Sequence, residues 1–473
     1  MVPPLRRDNV LIKRGRRMGR RRFLELSLLG SSLSLLPRPR DGSAQTLAAR
    51  RVIVVGAGMS GLAAARALAD AGADVIVLEA KDRPGGRIHT DFSLGAPFEY
   101  GAGWVHGPSD DNPIMGLVEA VNGRTFVTDD ESLAVFDHSG MRLPESRVDA
   151  IDRGWKDALE RARGAARPGD GMSLHDAIRG AVPGALEDPG LVWALSAYTE
   201  FSKGGAIEDL SATLHDADEA FPGADVVLTT GYDTILGPLA ADLDIRLDTA
   251  VESITYGERG VTVVAGEREW TGDYIVCSTP LGALKAGRIR FEPPLPSRYL
   301  KAIESLGFGS VTKIALKFDA PFWDTGIQYF GVVTKEKGRW CYWVNYRTFS
   351  TENILLGLSL GDYALVADRM SDAEMREEAL RVLRTVWGAD VGTPAEVRTT
   401  HWSTDPTTLG AYTYPRPGTA KADFDLLSEP VDDCLFLVGE HTLFDFAGTT
   451  HGALMSGRRA ARRIINLARS RSW

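Results

Sequence analysis

The sequence predicts an α/β fold built outward from one strand, glycine turn, helix and second strand, and three observations in residues 51–90 predict it. The run Val52-Ile53-Val54-Val55 is β-branched and apolar on both faces, as a strand buried inside a parallel sheet should be. Gly56-Ala57-Gly58-Met59-Ser60-Gly61 follows it at once and opens a helix expected over Leu62 to Ala71. A second strand, Asp74 to Leu78, ends in Glu79, which lies 18 residues after Gly61.

Each glycine has its own task. Gly56 permits the tight turn, Gly58 lets backbone approach a pyrophosphate, and Gly61 lets the helix pack close on the strand with its amino end toward the anion. Glu79 stands where an acid accepts hydrogen bonds from an adenosine ribose and repels a 2′-phosphate, which disfavours NADP. This order of elements is a Rossmann-like dinucleotide-binding unit, and it does not choose FAD over NAD. The next stretch, Lys81-Asp82-Arg83-Pro84-Gly85-Gly86-Arg87, would by itself read as a solvated basic loop. Directly after the fingerprint it resembles the signature of FAD-dependent oxidoreductases of the glutathione-reductase type. That resemblance implies Arg87 near the cofactor's phosphates, with Ser60 and Lys81 among the cofactor-binding residues.

A chain of 473 residues, 44% hydrophobic and 25% charged, can bury a large core in two or three domains. The first 50 residues carry 12 Lys and Arg against 3 Asp and Glu, leaving 42 against 60 for the remainder. An acidic body argues against nucleic acid, whose phosphates need a cationic face, and it suits either a cationic ligand or plain solubility. In the basic leader, Gly19-Arg20-Arg21-Arg22-Phe23-Leu24-Glu25 resembles a twin-arginine export motif. Leu26 to Leu36 is apolar but too short for a stable membrane anchor. Gly42-Ser43-Ala44 and Leu47-Ala48-Ala49 are possible cleavage sites, and Met18 is an alternative start. The expectation is a protein exported to the periplasm or beyond by the twin-arginine machinery, its cofactor loaded beforehand. Cys277, Cys341 and Cys434 form no CxxC or zinc spacing and sit in apolar runs, so they are expected in the core, with no metal site.

Further along, FEYGAGWVHGPSDDNP (Phe98 to Pro113) precedes a helix expected near Asn112-Pro113. The segment resembles the flavin amine oxidases, and WVHGPS followed by NP is most similar to their polyamine and spermine oxidase branch. The resemblance implies Gly103 and Trp104 at the flavin and His106 near the substrate. Residues from about 115 to 220 are helix-rich, with Val148 to Arg163 and Leu174 to Arg179 as helices. Within them Ala197-Tyr198-Thr199-Glu200-Phe201 resembles, at Glu200, a carboxylate with which polyamine oxidases hold a substrate ammonium; a solvated glutamate is the plainer alternative.

A helix from Gly231-Tyr232 to about Asp242 leads to strands at Ile245-Leu247, Ala250-Ile254, Val261-Val264 and Tyr274-Ser278. By resemblance this block returns to the FAD domain, and Val251 contacts the adenine through its backbone. In the strand Val311 to Phe318, Lys313 lies on the face opposite Thr312 and Ile314. Alone it would be an edge lysine; the resemblance makes it the family's active-site lysine, holding a water at flavin N5. After an alternating region (Trp340 to Leu360) and a helix from Asp372 to Val386, HWSTDPTTLGAYTYPRPG resembles the turn that sets Trp402 and Tyr412 against the flavin ring. LFLVGEHTLFDFAGTTHGALMSGRRAARRI then resembles the family's last strand, turn and helix. It implies Glu440 at the ribityl or phosphate region and Thr449 and Thr450 along the isoalloxazine.

The resemblance covers about residues 51–466 and implies a FAD-binding domain interleaved with an α+β substrate domain built on a mixed sheet. The expected limits are a signal segment over 1–49, FAD-binding parts over 50–114, 221–287 and 399–473, and substrate parts over 115–220 and 288–398. It also implies oxidation of an aliphatic di- or polyamine, with oxygen as acceptor and hydrogen peroxide as a product. Ala411, where monoamine oxidases carry the cysteine that tethers their flavin, implies a non-covalent FAD. Two other readings stay open: a monoamine or L-amino-acid oxidase, the latter needing an arginine such as Arg347 or Arg298 for the carboxylate, and a flavin-binding scaffold without turnover.

Overall fold

A computed structural model describes residues 47 and 50–470. The expected export segment, residues 1–49, lies outside them except for Leu47. Among the described residues no helix is long and apolar enough to cross a membrane.

The first strand, Arg51–Val55, pairs in parallel with Asp74–Leu78 on one side and Tyr274–Cys277 on the other. Asp244–Arg246 and Leu435–Leu437 extend the parallel sheet outward, and Pro430–Val431 closes one edge antiparallel. Both faces are covered, which is why the strand sequences are apolar throughout rather than alternating. Val52 and Val54 pack with the helices Met59–Asp70 and Thr450–Ser470, while Ile53 and Val55 face a second core with Tyr299 and Phe424. Gly61 is what lets the first helix approach: a Cβ there would stand 2.0 Å from the Gly56 carbonyl oxygen.

A second six-stranded sheet runs in the order Glu396–Thr399, Thr312–Lys317, Ile354–Ser359, Tyr342–Asn345, Tyr329–Val332, Leu133–Phe136. Only its last pair is parallel, so the sheet is mixed as expected. Each sheet draws its strands from separated stretches of chain. Helices Glu145–Ala165 and Leu174–Ala181 pack beside the second sheet's core. Pro113–Ala120 begins at Asn112, whose side chain accepts the Ile114 N–H, the N-cap that Asn-Pro promised.

Two strand expectations need correction. The strand placed over Ala250–Ile254 begins only at Ser253, because the preceding residues lie against the loop after the second strand. There Asp248 and Thr249 donate their N–H groups to the Lys81 and Glu79 carbonyls. The strand Arg268–Gly272 was missed because its residues, Arg-Glu-Trp-Thr-Gly, lack an apolar alternation; pairing with Gly260–Ala265 forms it. All three cysteines are buried and unpaired with one another, as expected of core residues.

Candidate active site

The glycine turn and the acid after the second strand are tied together directly. Glu79 is buried; its Oε2 accepts the Ala57 N–H at 2.6 Å and its Oε1 the Lys81 N–H at 2.9 Å. A carboxylate has lone pairs beyond these two, so the ribose contact expected of Glu79 adds to a role it already fills in shaping the turn. At Gly58 the backbone borders open space: an added Cβ would meet nothing nearer than the Gly85 carbonyl oxygen at 4.0 Å. A bridge between Gly58 and Gly85 joins this turn to the basic loop, and Arg83 braces that loop by donating to the carbonyls of Pro84, Gly86 and Ile88.

Arg87 and Glu440 join three motifs that lie far apart in sequence. Arg87 Nη1 donates to Glu440 Oε1 at 2.8 Å and to the Ala411 carbonyl at 2.7 Å. Glu440 also accepts the Gly448 N–H at 3.0 Å and bonds from Thr413. Burial pushes its carboxyl upward, but Arg87 and these donors outweigh it and hold the group below the usual carboxylate range. Thr449 caps the last helix, accepting the Gly452 N–H at 2.9 Å, and Thr450 shares a hydrogen bond with Tyr232 at 2.7 Å. Residues 447–450 are half-buried at that helix's amino end. Val251 is half-buried beside the loop that follows Glu79. Lys81, expected among the cofactor ligands, is instead engaged by the Asp405 carboxylate, with its Nζ 5.9 Å from the Trp402 ring centroid.

The lysine is the centre of the second half of the site. Lys313 is buried, and its Nζ donates to the main-chain carbonyls of Glu99, at 2.9 Å, and Gly101. Its own N–H is held by Thr400 Oγ1 at 2.8 Å, and its Nζ lies 5.9 Å from the Trp104 ring centroid. Burial pulls the amine down to about 8 against the opposing pull of Glu99. Trp402 Nε1 donates to the Tyr100 carbonyl at 2.8 Å, so the turn at residues 99–101 receives both the lysine and the tryptophan. Tyr412 donates to the Phe201 carbonyl, and Phe201 meets Trp104 edge-on with ring centroids 5.8 Å apart. A cavity of about 140 Å³ opens here, walled by Glu99, Gly103, Trp104, Lys313, Tyr346 and Leu356 among others.

Glu99 is the functional residue that the sequence reading passed over. Its carboxyl accepts from the Thr90 hydroxyl at 2.7 Å and the Tyr232 N–H at 2.8 Å, and burial pushes it up to about 7. The available signal was an acid inside the apolar run Ala96-Pro97-Phe98-Glu99-Tyr100, where burial demands a partner.

The two residues expected at the substrate part ways. His106 Nδ1 lies 2.6 Å from Asp225 Oδ2, both partly open to solvent, two residues beyond Trp104. Glu200 does not face the cavity. Its side chain is fully buried, and its carboxylate accepts from Ser196 Oγ at 2.8 Å, the Ile207 N–H at 3.0 Å and Lys337 Nζ at 2.8 Å. That internal ion pair leaves it unsuited to an incoming ammonium.

The sequence profile of the flavin containing amine oxidoreductases matches residues 59–189 and 181–465. The chain belongs to that family. Polyamine oxidase 2 of Arabidopsis thaliana is 32% identical over 434 residues, spanning 87% of this chain and 87% of the relative. Lysine-specific histone demethylase 1 homolog 2 of Oryza sativa subsp. japonica is 33% identical over 463 residues, 93% of this chain but only 60% of that relative. A solved putrescine oxidase bound to putrescine superposes with a TM-score of 0.72 at 23% identity, covering 88% of this chain and 99% of the other, a likeness of fold. The chain is therefore an amine oxidoreductase, and membership implies a flavin. The residues fit one: backbone at Gly58 is bare toward open space, Glu79 stands at the end of the second strand, and a helix amino end at Thr449 and Thr450 faces the same side as the Arg87–Glu440 pair.

Proposed function

We propose that this enzyme oxidises an aliphatic diamine or polyamine, using a non-covalent FAD and passing the electrons to oxygen. The amine would become an imine that water hydrolyses to an aldehyde and a smaller amine, with hydrogen peroxide as co-product. The flavin, when bound, supplies the acceptor for the hydride that leaves the amine's α-carbon. Trp104, Tyr346 and Phe349 wall the cavity and exclude bulk water, Trp402 and Tyr412 brace the segments around it through the Tyr100 and Phe201 carbonyls, and Lys313 holds a proton at Nζ beside Trp104. The observation that carries this reading is the buried Lys313, fixed by two carbonyls at the wall of an aromatic cavity.

An amino-acid substrate finds less support. Lys313 is the cation among the described residues lining the cavity; Arg347 donates to the Thr351 carbonyl and Arg298 lies over the Tyr299 ring. A peroxide assay across spermine, spermidine, putrescine, benzylamine and L-amino acids tests the proposal. Aliphatic polyamines should give the highest kcat/KM; a preference for benzylamine or for an amino acid would refute it.

Export through the twin-arginine route is also proposed, on the strength of Gly19 to Glu25. Leu47 is buried in the core and its carbonyl accepts the Arg50 N–H at 2.8 Å, which favours cleavage after Ala44 over cleavage after Ala49.

A further inference from the structure

We propose that Thr90 is a positioning residue for Lys313, acting through Glu99: its hydroxyl holds the Glu99 carboxyl in the ionised form, and that carboxylate keeps the lysine a cation at the cavity wall. This concerns the charge at Lys313 rather than the identity of the amine, so it stands or falls apart from the substrate class proposed above.

The contact is fixed by strand register. Thr90–Asp91 pairs antiparallel with Phe98–Glu99, which sets Thr90 directly opposite Glu99, and both side chains are buried. Gly231, at φ +91°, then turns the chain so that two successive N–H groups arrive at this pair. The Tyr232 N–H donates to Glu99 Oε1 at 2.8 Å and the Asp233 N–H to Thr90 Oγ1 at 3.1 Å. The bond from Asp233 occupies a lone pair of Thr90 Oγ1 and leaves its proton for Glu99 Oε2, 2.7 Å away. Among the described residues, Thr90 is the one side chain that donates to the Glu99 carboxyl. The main-chain carbonyl of the same glutamate accepts Lys313 Nζ at 2.9 Å. Glu99 therefore holds the lysine through its backbone and acts on its charge through its side chain.

The two ionisations lie close together, which is what gives one hydrogen bond its leverage. Burial pushes Glu99 up to about 7, while Thr90, the Tyr232 N–H and Lys313 pull it down. Burial pulls Lys313 down to about 8, and Glu99 is the charge that opposes it. The other groups bearing on the carboxyl are Asp233, a like charge that raises it further, and the phenols of Tyr232 and Tyr346, which burial keeps neutral. Loss of a hydrogen bond to a charged carboxylate raises its titration by roughly one to two pH units. Without the Thr90 donor, Glu99 stays protonated through the range in which Lys313 titrates. The pull on the ammonium is then lost, and Lys313 gives up its proton at a lower pH.

The test follows the charge of Lys313 by NMR titration of isotope-labelled lysine in the flavin-loaded enzyme, reading the resonance that Lys313→Met removes. Wild type, Thr90→Val and Thr90→Ser are compared, with the pH profile of flavin reoxidation measured alongside. Thr90→Val should lower the Lys313 midpoint by about half a pH unit or more in both measurements. Thr90→Ser, which restores the hydroxyl, should return it to the wild-type value. Adding Thr90→Val to Glu99→Gln should move the midpoint no further than Glu99→Gln alone, since Thr90 acts through that carboxyl. A midpoint unmoved in Thr90→Val, an equal shift in Thr90→Ser, or a further drop in the double variant overturns the assignment. Should Thr90→Val fail to fold, Thr90→Ala, which removes the hydroxyl without setting a methyl against the carboxylate, is read by the same outcomes.

Discussion

Two main-chain carbonyls meet Lys313 Nζ, which suits the two N–H groups of a neutral amine and leaves one proton of an ammonium without a protein acceptor. With burial pulling the group down to about 8, its charge changes within the working range: a cation below that pH and a neutral amine above it. A cation beside the flavin favours electron transfer to oxygen, so reoxidation of the reduced enzyme should slow as pH rises through about 8. Lys313→Met should be slower at pH 7 by roughly ten- to hundredfold and should lose that pH dependence. Stopped-flow mixing with oxygen reads both, and an unchanged rate or an unchanged profile contradicts the role. Because the Glu99 carboxylate is what holds the lysine up, Glu99→Gln should move the midpoint to lower pH. A midpoint that stays in place would show that the two groups do not communicate.

At the scale of single elements, the glycine turn makes the sharpest case. Gly61→Ala puts a methyl 2.0 Å from the Gly56 carbonyl oxygen, and an overpacked contact of this kind costs about 1–3 kcal/mol. A lowered melting temperature together with weaker flavin retention is the expected result; a variant that keeps both would refute the close-approach role. Glu200→Gln should likewise destabilise, by roughly 1–3 kcal/mol, since it leaves Lys337 without its buried partner. Its effect on putrescine and butylamine turnover should be equal, and a loss confined to putrescine would restore Glu200 to the substrate. The contrast shows what local sequence can carry. The βαβ unit was legible because strand, turn, helix and acid are contiguous and each has its own propensity. The setting of Glu200 was not legible because a short match conveys a residue type but not its direction. The stretch Leu195–Glu200 is π-helical and turns the side chain toward Ile207 and a lysine 137 residues away. Glu99 was passed over for the same reason, since Lys313, which gives it meaning, lies 214 positions further on.

For the whole molecule, the two sheets are built from interleaved stretches, and the site forms where the turn at residues 99–101 meets the strand of Lys313 and the loop of Trp402. Its flavin should be removable. Ala411 stands before Tyr412 and offers no sulfur for a tether, so acid precipitation should leave a yellow supernatant; a yellow pellet would refute non-covalent binding. The acidic body, 42 Lys and Arg against 60 Asp and Glu after residue 50, should draw polycations, so kcat/KM for spermidine should fall with added salt more steeply than that for butylamine. Equal salt dependence would assign the acidity to solubility alone. The central claim, that this cavity oxidises aliphatic polyamines, is tested most directly by anaerobic titration of the purified yellow enzyme. Spermidine or putrescine should bleach the flavin absorbance within the time of turnover, while benzylamine and L-amino acids should act far more slowly. Flavin that stays oxidised with every aliphatic amine, or that is bleached fastest by an amino acid, would contradict it.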